Sequence, residues 1–212
     1  MKKIRKKPTG TMEPLIVNSA GASLAPNRFV FPNTKEKIEL KITQLFLNLI
    51  QKGENSPFTE KMTIIENKEY DLDFSLKGES YQCLLELTEI TPPGEMKGGF
   101  KDLTYSHNIG EHSDKIINLI TKKSEKYVGI EKDIFLLMYI SDDRSLPSLT
   151  TEKLVMTHLN NNEHKFKGIF VLFPILEKDG PIIYYYPNNE KSLTENEISS
   201  LKKNKVTNLR LK

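Results

Sequence analysis

The sequence predicts a mixed α/β fold, with a central β-sheet flanked by helices on both faces. Three observations predict it. Two apolar-rich runs, residues 70–76 and 81–88, flank the polar break Lys77-Gly78-Glu79-Ser80, the pattern of a tight β-hairpin. Residues 133–140 form a near-continuous apolar run, which suits a strand covered on both faces. Apolar residues at helical spacing precede the hairpin and follow it.

Composition bounds the rest. A chain of 212 residues, 37% apolar and 28% charged, can bury one sizeable core. No apolar run approaches the ~20 residues of a membrane-spanning helix. The basic start, Met-Lys-Lys-Ile-Arg-Lys-Lys, has no apolar run behind it and does not read as a secretory signal. The single cysteine, Cys83, falls in a predicted core strand, so a reducing, cytoplasmic setting is expected. Net charge is +3, and five of the 31 basic residues lie in the first seven positions. Charge alone therefore does not argue for nucleic acid.

Three regions are expected. Residues 1–32 hold Pro8, Pro14, Pro26 and Pro32 and read as an irregular arm, whose cluster Lys2, Lys3, Arg5, Lys6 and Lys7 could touch phosphates. Residues 33–190 form the α/β domain. Its first helix takes Asn33 as N-cap, with Glu36 three residues on, and carries Ile38, Ile42, Leu45, Phe46 and Leu49 to the stop at Gly53. Glu39 sits at the edge of that stripe. A strand over 62–66 leads into the hairpin. On its second arm Glu86 and Thr88 leave one face, and Cys83, Leu85 and Leu87 leave the other.

A long break is expected from Thr91 to His112, rich in Pro and Gly. It carries Lys97, Lys101, His107 and His112 among the aromatics Phe100 and Tyr105, a mixture suited to a flap over nucleic-acid backbone and bases. The second helix is expected from Ser113. Ile116, Ile120, Lys123 and Tyr127 follow one another at helical spacing, while Lys122 points away. A lysine inside an apolar stripe wants a carboxylate or an anionic ligand. After the strand at 133–140, Asp142 and Asp143 suit a turn. A helix over 151–159 and strands over 168–174 and 182–186 complete the domain. Thr194 and Glu197 cap a polar helix in the last region, 191–212, which ends in a basic tail.

Asp73-Phe74, a turn, then Glu86-Leu87-Thr88 in an apolar strand resembles the PD-(D/E)XK nuclease superfamily, also called restriction-endonuclease-like. The separation of 13 residues between Asp73 and Glu86 is ordinary for its hairpin. The predicted order helix, three strands, helix, strand is the α-β-β-β-α-β order of its core. Leu72 stands in place of the motif proline, and Thr88 in place of the motif lysine. The resemblance implies a Mg²⁺ held by Asp73 and Glu86, with Glu39 at a second-metal position and Glu36 as its substitute. It implies that a lysine on the following helix, Lys123, replaces the one missing from the strand, with Thr88 holding water or the lysine in place. Lys97, Lys101, His107 and Lys122 would contact nucleic acid, DNA before RNA, and a homodimer is left open. The activity implied is phosphodiester hydrolysis. The alternative is a nuclease-like module that binds nucleic acid or a protein without turnover, and a plain α/β scaffold is the third reading.

Overall fold

The computed structural model describes residues 15–18, 21–24, 27–53, 56–66, 72, 74–91, 104–142 and 145–209, with backbone only for 15–18, 21–24, 66, 104–107 and 206–209. Its centre is a six-stranded sheet built from β3 (Thr63–Glu66), β4 (Phe74–Lys77), β5 (Gln82–Ile90), β7 (Ile134–Ile140), β8 (Phe166–Leu172) and β9 (Ile182–Tyr186), in that spatial order. The first three run as an antiparallel meander, β7 and β8 add in parallel to β5, and β9 returns antiparallel. The mixed sheet of the sequence reading is therefore present.

Three helices cover it. On one face α1 (Lys35–Ile50) sets Ile38, Ile42, Leu45 and Phe46 against Cys83, Leu85, Leu87, Phe135 and Leu137. On the other, α2 (Ile109–Lys126) and α3 (Leu149–Asn161) set Ile116, Ile120, Val155 and Leu159 against Leu84, Ile90, Leu136 and Met138. Strand alternation produces this division, because odd positions of β5 face α1 and even positions face α2. Burial of each such side chain contributes about 1.5–3 kcal/mol, so two full apolar layers dominate the energetics. The β7 run is buried at every position, as a strand between two helical layers requires.

Several boundaries differ from the sequence expectation. Within the arm expected to be irregular, β1 (Leu15–Asn18) and β2 (Gly21–Leu24) pair antiparallel, Leu15 opposite Leu24 and Asn18 opposite Gly21. The N-cap of α1 is Thr34 rather than Asn33, and its hydroxyl accepts from Lys37 N–H at 3.4 Å. The break expected up to His112 ends earlier, at β6 (Thr104–Asn108), and α2 starts at Ile109. Asn108 caps it, accepting from the Gly110 and Glu111 amides, whereas the expected cap Ser113 is buried with its hydroxyl donating to the Gly110 carbonyl. The basic tail also has regular structure. After α4 (Glu195–Leu201), whose Thr194–Glu197 capping box is as expected, β10 (Lys205–Leu209) pairs antiparallel with β6. A strand pairing across about a hundred residues leaves no local pattern in either partner.

Candidate functional site

Glu86 lies mid-way along β5, in register with Leu136 of β7, and is 6% exposed. An ionised carboxylate in that position costs several kcal/mol unless it is paired. The pairing comes from α2. Lys123 donates from Nζ to Glu86 Oε1, and the Tyr127 hydroxyl donates to Oε2. The helical steps 116, 120, 123 and 127 bring this about, because they hold lysine and tyrosine on the line of α2 that faces the sheet. Tyr127 is fully buried, while the Lys123 side chain keeps 29% exposure and so connects the pair to solvent. Sequence reasoning placed Tyr127 on the buried line but gave it no polar part. The signal was present in its spacing, four residues after a lysine on the same face.

Thr88 follows Glu86 by two positions on the same strand face and is half-buried, in register with Met138. Glu39 does not join this group. It is buried on α1, packed on the opposite face of the sheet, and ion-paired with Lys35 at 3.3 Å. A full sheet layer separates it from Glu86, which rules out the second-metal position expected for it. The cause is the single helix on that face: α1 contacts the odd positions of β5, and Glu86 is even. Glu36 lies in the first turn of the same helix.

Asp73, Lys97 and Lys101 lie outside the described residues, and His107 is described only as a backbone position of β6, opposite Val206. Lys122 lines an open groove of about 570 Å³ along the outer flank of α2, together with Glu89, Glu111, Asp114 and Lys115. Three of its charged neighbours there are acidic and one, Lys115, is basic. His112, expected in a flap, is buried within α2. Asp142 is buried after β7 and its carbonyl accepts from Ser145 N–H at 2.9 Å, while Asp143 lies outside the described residues.

The donor chemistry at Glu86 suits a hard divalent cation. Each carboxylate oxygen has two lone pairs, of which one is engaged, and Thr88 offers a hydroxyl on the same face. Among the described residues no three His, Cys, Asp or Glu side chains gather closely enough to hold a metal ion. A cation at Glu86 therefore needs a further ligand from outside them, and Asp73 is the sequence candidate.

Among the described residues no helix is long and apolar enough to cross a membrane. No family model, no curated protein and no solved structure matches the chain.

Proposed function

We propose that the chain is a Mg²⁺-dependent nuclease of the PD-(D/E)XK type, hydrolysing nucleic-acid phosphodiester bonds with a lysine supplied by α2 instead of by the strand. The observation that carries this reading is the Lys123 ammonium resting on Glu86. A strand that has Thr88 where the motif needs lysine has its ammonium restored from the next helix, at the carboxylate where the chemistry requires it. The order α1, β3, β4, β5, α2, β7, interrupted only by β6, which pairs with β10 outside the central sheet, supports the same reading with its antiparallel meander and parallel fourth strand.

Glu86 and Asp73 would hold the metal ion. When bound, Mg²⁺ supplies charge neutralisation at the scissile phosphate and acidifies a coordinated water. Lys123, partly open to solvent, holds the attacking water by hydrogen bonding and offsets negative charge that develops on the phosphoryl oxygens. Thr88 steadies water beside Glu86. Tyr127 and the apolar layer behind it keep bulk solvent from the inner side of the carboxylate, which strengthens each of these interactions.

The test is cleavage of labelled DNA and RNA, single- and double-stranded, with Mg²⁺ and with EDTA. Glu86→Gln and Asp73→Asn abolish product, and Lys123→Ala lowers the rate about 10²–10⁴-fold, the usual weight of a proton-transfer or charge-stabilising group. Full activity in Lys123→Ala would remove the helix-borne lysine from the mechanism. A second reading, a nuclease-like module that binds without turnover, is favoured by the engagement of both Glu86 oxygens. It requires binding that survives EDTA and no product under any condition.

A further inference from the structure

On the face of the sheet that carries them both, α2 and α3 end beside one another, α2 at Lys126 and α3 at Asn161. An open cleft of about 440 Å³ lies between these two ends and the chain that leads into β8. Its floor is apolar, from Ile120 and Leu159, and Val128 borders it with 77% of its surface exposed. Each wall carries one exposed carboxylate, Glu125 on the α2 side and Glu163 after α3. We propose that this cleft binds a free aliphatic diamine, with its alkyl stem on the apolar floor and its two ammonium groups at Glu125 and Glu163. The proposal does not rest on the nuclease reading.

A cleft of this volume has the size of a small-molecule site. Two helix C-termini border it, and each presents the equivalent of about half a negative charge. The end of α3 is the more open of the two. Its cap, Asn162, has an extended backbone (φ −131°, ψ 142°), and its side-chain amide donates to the His158 carbonyl at 2.8 Å. Among the described residues no group donates to the carbonyls of Leu159, Asn160 and Asn161. His158 and His164 also line the cleft and add no positive charge, because burial holds both imidazoles below the ordinary 6.5 and so neutral at pH 7. Lys165 borders the cleft as well, but its amide donates to Ser124 Oγ at 2.7 Å and its ammonium also acts electrostatically on Asp133. The cleft therefore offers acceptors and negative charge around an apolar surface, which suits a cation with a hydrocarbon stem and disfavours an anion. A metal ion is the poorer fit, because among the described residues no three His, Cys, Asp or Glu side chains gather closely enough to hold one.

The experiment is an NMR titration of the full chain with 1,5-diaminopentane at about pH 7.5, read on the imidazole C–H resonances of its four histidines. The signals of His158 and His164, assigned with His158→Gln and His164→Gln, are expected to move saturably, and those of His107 and His112 to stay. The double variant Glu125→Gln, Glu163→Gln alters only exposed side chains and so keeps the fold. It is expected to weaken binding about three- to tenfold, the weight of two exposed ion pairs. The diol 1,5-pentanediol, with the same stem and no charge, is expected to give no shift. Equal affinity in the double variant, or equal shifts from the diol, overturns the proposal, as does the absence of a saturable shift with the diamine. N-acetyl-lysine methylamide offers a similar stem and one ammonium on a peptide backbone, and binding tighter than that of the diamine overturns the free diamine as the ligand.

Discussion

Glu86 and Lys123 raise the question of what a buried ion pair is for. Desolvating the Glu86 carboxylate costs several kcal/mol, and apolar residues of similar volume often serve stability equally well or better. Stability therefore gives no reason for the pair. Breaking it from one side is a different matter, because a lone buried charge is left behind. Lys123→Met is expected to cost about 3–5 kcal/mol in chemical denaturation, and Glu86→Leu with Lys123→Met to recover most of that loss. A double variant as unstable as the single one would mean that the loss comes from packing. Glu152, on α3, is another buried acid, and burial pushes its carboxyl up to about 7. Its protonated form is the one the fold accepts. The stability it allows is complete below the ordinary value of 4.5 and is lost as pH rises through 7. Melting temperature should fall across that window in the native chain and fall less in Glu152→Gln.

Elements meet at close approaches that set their own limits. The turn between β8 and β9 is closed by hydrogen bonds from Phe173 N–H to the Pro181 carbonyl at 3.1 Å and from Leu176 N–H to the Asp179 carbonyl at 2.9 Å. This brings Gly180 so near the Phe173 carbonyl that any Cβ there would collide with backbone, which cannot swing aside. Gly180→Ala is expected to lower stability by about 1–3 kcal/mol, read by thermal melting, while Gly129→Ala meets no atom within 4 Å and strains only its positive φ of 89°. At the opposite end of the sheet, the β5, β7 and β8 strands are tied by Asp133. It accepts from the Tyr81 hydroxyl at 2.7 Å and from Lys167 Nζ at 2.5 Å. These contacts fix the parallel strands laterally, and with them the placement of Glu86 under α2.

For the molecule as a whole, the decisive fact is that helices cover both faces of one sheet. Each buried position of its inner strands therefore faces one helical layer or the other. The hairpin, the buried β7 run, the α1 stripe and the α2 line were legible because each is a local period of two or of 3.6 residues. The Lys123 position was legible for the same reason: a cation inside an apolar stripe needs an anion opposite. Glu39 was misread because a helical wheel gives a residue's angle about its own axis and not the face of the sheet on which the helix lands. The β6–β10 ladder and the β1–β2 pair were missed, the first because its partners lie far apart in the chain, the second because prolines around it outweighed a short apolar run at 15–17. Alternation, stripes and caps are local consequences of backbone geometry, so the chain itself determined which residues are helix or strand and which carboxylate would need a partner. Only the folded arrangement decided which helix supplies that partner, because the choice between two faces is made by packing across the sheet, and that the Tyr127 hydroxyl completes it.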